Sequence, residues 1–245
     1  MILSREWRVY LSPSAQTGNK YAYGSTSEGI VCPQIANFCK EALEAHGIIT
    51  FNGAGKSYTE RYEEAKQNMV DLYIPIHTNA FNGKVTGTRM FVRNFKDEPS
   101  YKWCKVIFAN LDAVCPGTSS NIKEYPRLTE FIHMEGTPSV YCECEFHDNP
   151  EMAKWIINHK QEIGYAIARG VCECFGIPWD EDLEVGDAVR LKPEATVWNK
   201  DYKPSAWVFK RVLYVQKING DRVWLSIYKQ GATTCTVDKK YVVKE

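Results

Sequence analysis

The sequence predicts an α/β protein: a twisted, mostly parallel sheet with helices on both faces, followed by a small SH3-like β-barrel. Three observations carry this. Short apolar runs alternate with helical periods over most of the chain, the signature of a sheet with crossover helices. One run, Leu72 to Ile76, ends in the polar tip His77-Thr78-Asn79 and then a turn, Phe81-Asn82-Gly83-Lys84, so a buried strand surfaces there with a histidine at its carboxyl end. Beyond residue 183 no helical period survives, and only short β-rich runs remain. The expected domains are therefore 1–178 and 183–245, joined by the acidic linker Asp180-Glu181-Asp182.

Taken in order, Trp7 to Leu11 is the first strand and Ser12 to Asn19 a polar loop. Pro33 suits the first turn of a helix striped by Ile35, Phe38, Ala42 and Leu43 and ended by Gly47. Ile48 to Phe51 is a second strand. Ser57-x-x-Glu60 reads as a capping box that opens a helix to about Met69. The His77 strand follows, then a strand over Thr88 to Val92 and a helix over Ser100 to Val114. Ser139 to Glu143 is a further buried strand. Asn149-Pro150 opens a helical region to about Phe175, with a break near His159. In the tail, Ala188–Leu191, Val212–Val215, Arg222–Leu225 and Tyr241–Val243 are strands, with a hairpin turn at Asn219-Gly220-Asp221. About 60 residues of this pattern suggest a barrel of SH3-like kind.

Composition excludes some functions. Thirty Lys and Arg balance thirty Asp and Glu, so nucleic acid is not the expected partner, since a phosphate backbone calls for a basic surface. No run of 18 apolar residues argues for a membrane span. The start, Met1 to Trp7, has no long apolar core, so the chain is expected to be made in the cytoplasm without a secretory signal. The nine cysteines form no C-x-x-C pair. They read mostly as buried free thiols.

The sheet's carboxyl edge is where ligands bind in open α/β folds, so His77 stands in a functional place. The sequence around it resembles the zinc-dependent N-acetylmuramoyl-L-alanine amidases of autolysins and phage endolysins. The matching residues are Ile76 to Ala80, then Arg61 and Ala65 in the preceding helix, and the series Pro138, Val140, Glu143, Phe146 and Asn149. The resemblance implies a peptidoglycan hydrolase that cleaves the amide between the muramic lactyl group and L-alanine by zinc-activated water. It implies His77 and Glu28 as zinc ligands and Glu143 as the catalytic acid–base. It also implies a first histidine after strand one, where this chain has Ser12-Pro13-Ser14-Ala15-Gln16.

His147 is the expected substitute: if residues 143–147 stay extended, Glu143, Glu145 and His147 share a face. Gln16 is the other choice, as ligand or as substrate contact. Asn79 either holds the loop or meets substrate. In the tail, Trp198 and Tyr202 are the surface aromatics expected to touch the cell wall. Two further readings compete. One is a non-catalytic wall-binding protein that lost its metal with the first histidine. The other is a thiol peptidase using Cys142 or Cys144 with His147, though neither cysteine has the helix N-terminus or cations that activate a thiol.

Overall fold

The protein was analysed as a computed structural model that describes residues 5–179 and 183–245. The first four residues and the acidic linker 180–182 lie outside the described residues. The chain divides into two compact units, Met1–Trp179 and Asp180–Glu245.

The first unit is built on a six-stranded sheet. Its strands are β1 (Arg8–Pro13), β2 (Ile49–Asn52), β3 (Leu72–Asn79), β4 (Arg89–Val92), β5 (Asn121–Glu124) and β6 (Tyr141–Phe146), in the order β2-β1-β3-β6-β4-β5. The first four in that order run parallel. β4 turns antiparallel to β6 and carries β5 parallel to itself. The sheet is thus mixed but mostly parallel. β3 and β6 are its central strands, and their near-continuous apolar runs fit burial on both faces.

Alternation along the strands sorts the two faces. Val9, Leu11, Leu72, Ile74, Ile76, Cys142 and Cys144 join one core with α1 (Glu28–Ala45), α3 (Ser100–Val114), α5 (Pro150–Asn158) and α6 (Lys160–Phe175). Tyr10 and Tyr73 point the other way, into a smaller core with Tyr62 and Ala65 of α2 (Tyr58–Gln67) and with Met134. Met134 follows the short α4 (Thr129–His133).

Local chemistry explains most boundaries. The Ser57 capping box is present in both directions. Asn149 accepts from the Glu151 and Met152 amides ahead of Pro150. The helical region does break at His159, whose backbone leaves the helical range between α5 and α6. α1 differs from expectation. It starts at Glu28, not at Pro33, which sits inside it. The loop ahead of Glu28 is stitched to the helix start, with the Glu28 amide donating to the Asn19 carbonyl and the Gly29 amide to that of Gln16. That long-range closure nucleates the helix a turn earlier than the proline suggests. β5 and α4 were not expected: β5 carries mostly polar residues and α4 is only five residues long, so neither leaves a period to read.

The second unit is a five-stranded antiparallel sheet: β7 (Ala188–Leu191), β8 (Leu213–Asn219), β9 (Arg222–Ser226), β10 (Cys235–Asp238) and β11 (Val242–Lys244), in the order β10-β9-β8-β7-β11. Val189, Val215, Val223, Leu225 and Val237 form its core. Asn219 pairs with Arg222 across the predicted hairpin, with Gly220 at φ +58. β10 went unpredicted because Cys235-Thr236-Val237-Asp238 holds one strongly apolar residue.

The packing of α6 on α1 has a direct test. A Cβ on Gly164 of α6 would stand 2.7 Å from the Ile35 carbonyl oxygen and 2.9 Å from the Cys39 nitrogen of α1. Gly164→Ala is therefore expected to lower stability by about 1–3 kcal/mol, although alanine favours an exposed helix by about 1 kcal/mol. Urea unfolding reads this directly; a stabilised variant would mean the two helices do not touch backbone to backbone.

Candidate functional site

The site lies where β3 and β6 end side by side. His77 is register partner to Glu143, so the two share a face of the sheet. α1 begins at the same edge and brings Glu28. Its Oε1 lies 2.7 Å from His77 Nδ1, and both side chains are almost wholly buried, 2% and 3% exposed. The second Glu28 oxygen accepts from Asn19 Nδ2 at 2.6 Å, and the Thr78 amide donates to Oε1 at 3.3 Å. Burial pushes the Glu28 carboxyl up, but the bonds from His77, Asn19 and Ser14 outweigh it and hold it below its ordinary value. Tyr141 stacks on His77 at 4.7 Å.

Glu143 is in the opposite condition. Its Oε2 is buried with no hydrogen-bond partner. Burial first, then the carboxylates of Glu28 and Glu130, push its pKa well above the ordinary carboxylate range. A carboxyl with a raised pKa beside a histidine–carboxylate pair is a candidate for acid–base work.

The expected ligand His147 does not join them. Between His77 and Asn79, β6 advances from Glu143 to Phe146, one residue more than β3. This bulge interrupts the period-2 alternation. Phe146 takes the face that Glu143 had, and Glu145 and His147 turn to the other. His147 Nδ1 lies 2.9 Å from the Thr78 carbonyl oxygen and 3.0 Å from its hydroxyl. Its ring stacks on Tyr21, whose hydroxyl also meets Thr78 Oγ1. Burial lowers the His147 pKa, so the ring is neutral at pH 7. Glu145 has a structural post: it accepts from the Gly87 and Phe146 amides.

Among the described residues no three His, Cys, Asp or Glu side chains stand close enough together to hold a metal ion. Glu28 and His77, the two residues the resemblance implies as ligands, stand in direct contact at the sheet edge. His147, expected as a third ligand, stands apart from them with Thr78.

Gln16 lies on the exposed loop before α1, and its Oε1 accepts from the same Asn19 nitrogen that binds Glu28. Asn79 closes its own strand: Oδ1 accepts from the Ala80 amide, and its carbonyl accepts from the His147 amide. Arg61 is buried and ties the end of β1 to α2 through the Ser12 hydroxyl and the carbonyls of Pro13 and Lys56. His133 stacks on Tyr62 at 4.7 Å. In the second unit Trp198 is half-buried and lines a cleft of about 300 Å³ with Lys200, Asp201, Asp238, Lys240 and Tyr241. Tyr202 is 57% exposed and does not line that cleft.

Three residues escaped the sequence reading. Asn19 links Gln16 to Glu28. Glu130 sits on the unpredicted α4 and acts on Glu143. Asp148 accepts from the amides of Phe81 and Gly83 and so fixes the loop beyond His77; its place just before the Asn149 cap was the only available signal. Cys142 and Cys144 are free and fully buried, with thiol pKa values pushed well above the ordinary value, first by burial. They suit packing and not nucleophilic attack.

The family model described as N-acetylmuramoyl-L-alanine amidase matches residues 14–173. Solved structures share the fold at low identity. An N-acetylmuramoyl-L-alanine amidase of Clostridium difficile 630 is 19% identical with a TM-score of 0.62, covering 70% of this chain and 97% of its own. The amidase AmiC2 of Nostoc punctiforme is 16% identical with a TM-score of 0.59, covering 71% and 99%. The catalytic domain of the CD27L endolysin, which targets Clostridia difficile, is 19% identical with a TM-score of 0.53, covering 69% and 98%. No curated protein matches the chain.

The Glu143 pKa gives a signed prediction for the metal-free protein. Its folded value is raised, so folding is favoured below the unfolded-state pKa of about 4.3 and loses that advantage as pH rises toward the folded value. In chelator, Glu143→Gln is expected to melt higher than the parent at pH 7.5, with the gap closing toward pH 4.5. Equal melting temperatures throughout would mean Glu143 is not desolvated.

Proposed function

The chain belongs to the N-acetylmuramoyl-L-alanine amidase family, a family of hydrolases, and from that premise we propose that it cleaves the amide joining the muramic lactyl group of peptidoglycan to L-alanine. The observation that carries the reading is Glu143, with an orphaned buried oxygen, on the same face as a buried Glu28–His77 pair. We read the ion of this site as zinc, with Glu28 and His77 among its ligands. When bound, it would polarise the scissile carbonyl and lower the pKa of its water.

The protein's own groups do the rest. Glu143 takes the proton of the attacking water on Oε2 and passes it to the leaving amine of L-alanine. Glu28 keeps the imidazole of His77 oriented through Nδ1. Tyr141, stacked on His77, covers one side of the ring and keeps solvent from it. The loop clamped by Asp148 holds the exposed Phe81 at the strand end, where an extended substrate would pass.

The second unit is read as a cell-wall binding module of SH3-like kind, with Trp198 and Tyr202 as its contacts. An aromatic wall with flanking charges suits sugars or stem peptides. Such a chain would act on the cell wall, as an endolysin or autolysin does. One observation favours a second reading, a non-catalytic wall-binding protein: the absence, among the described residues, of a third His, Cys, Asp or Glu beside Glu28 and His77.

Release of new N-terminal alanine from purified peptidoglycan separates the two. The full chain is expected to release it, and a zinc chelator to stop the release. Glu143→Gln should lower the rate by roughly 10²–10⁴-fold. Folded protein that binds walls and releases nothing would establish the second reading. Trp198→Ala should weaken sedimentation with cell walls and leave cleavage of a soluble muropeptide unchanged; an unchanged wall affinity would remove Trp198 from the binding surface.

A further inference from the structure

We propose that the outer face of the second unit's sheet, around Trp224, binds phosphodiester-linked polymers of the cell wall. This rests on the wall-binding reading of that unit and names a polymer and contacts other than Trp198 and Tyr202. The first support is charge. The chain as a whole is balanced, but residues 183–245 hold twelve Lys and Arg against seven Asp and Glu, a net of +5. Residues 1–179 hold eighteen against twenty. The excess positive charge thus sits in the shorter unit, and such an asymmetry draws anionic partners.

The second support is how the cations are placed. Leu213, Val215, Val223 and Leu225 belong to the core. Tyr214 and Gln216 of β8, and Arg222 and Trp224 of β9, alternate with them and lie on the other face. A register shift between Val215 and Lys217 brings Lys217 opposite Trp224. Lys217 Nζ stands 5.1 Å from the centre of the Trp224 ring and Arg222 Cζ 4.3 Å from it. Lys229 Nζ stands 5.9 Å from the Tyr214 ring. Gln216 fixes the loop that carries Lys229, its Nε2 donating to the Tyr228 and Lys229 carbonyls. Three cations and two rings therefore share one face.

The third support is that these cations are not spent. The unit's ion pairs go elsewhere, joining Arg190 to Glu245, Lys240 to Asp238 and Lys244 to Asp187. Among the described residues, Lys217, Arg222 and Lys229 form none. Asp238 is register partner to Arg222, but its carboxylate meets the Lys240 amide and ammonium. Arg222 Nε is buried with no hydrogen-bond partner, so the guanidinium has donor capacity left over. Its planar fork matches the oxygens of a phosphate, and aromatic rings offer apolar surface to the sugar or polyol between phosphates. A polymer that alternates phosphate with sugar or polyol fits a face that alternates cations with rings.

The test is sedimentation of the full chain with cell walls before and after hydrofluoric acid extraction, which cleaves phosphodiesters and leaves peptidoglycan. Untreated walls are expected to bind more tightly, and with three cations engaged their affinity should fall roughly tenfold or more between 50 and 200 mM salt. Arg222→Gln and Lys217→Gln should each weaken that binding and lower the slope of log affinity against log salt by about 1. Lys244→Gln, on the edge strand β11, should keep the parent's slope. Circular dichroism checks that each variant is folded, and the exposed Lys217 carries the test if Arg222→Gln is not. Equal binding to both wall preparations would overturn the proposal and leave the wall-binding reading intact; no binding to either would overturn both. A matching loss in Lys244→Gln would assign the effect to net charge and not to this face. Single-stranded DNA that competes as well as the purified polymer, phosphate for phosphate, would likewise overturn the assignment.

Discussion

The contact between Glu28 and His77 is the constraint on which the sheet edge depends. Both side chains are nearly excluded from water. A buried carboxylate is costly unless its oxygens are met, and here each oxygen is: one by His77 and the Thr78 amide, the other by Asn19. To supply those partners, the loop after β1 folds back onto the start of α1, and that helix begins a turn before Pro33. The pair therefore sets where α1 starts and how it approaches β3.

Beside this pair, one inserted residue divides the remaining carboxylates and the histidine by task. The bulge on β6 leaves Glu143 on the face of His77 and sends Glu145 and His147 to the other. Glu143 keeps an oxygen with no partner. Glu145, with a similar side chain two residues on, is bound by backbone amides and fixes the Gly87 loop. His147 buttresses Thr78, whose amide in turn meets Glu28. The register shift thus separates Glu143 from Glu145 and His147 along one strand.

Much of this was legible beforehand. The apolar run into His77, the Ser57 capping box, the Asn149 cap, the interruption at His159 and the turn at Gly220 all rest on interactions within a few residues, and all occur. β5, α4 and β10 were not legible, being too short or too polar to show a period. Their absence from the reading also hid Glu130, which raises the Glu143 pKa.

The chain's residues by themselves determined most of the elements and singled out Glu28, His77 and Glu143 as the expected site residues. Local hydrogen-bonding and apolar periodicity suffice for the elements, and the resemblance to the amidases for the residues. Only the tertiary structure decided which of them share a face and which atoms converge. The bulge that turns His147 away comes from pairing β6 with β3, and the bond that draws Asn19 and Gln16 to Glu28 comes from a loop closing on a helix. Such contacts depend on where two strands and a loop meet in space, and no period within any one of them records it.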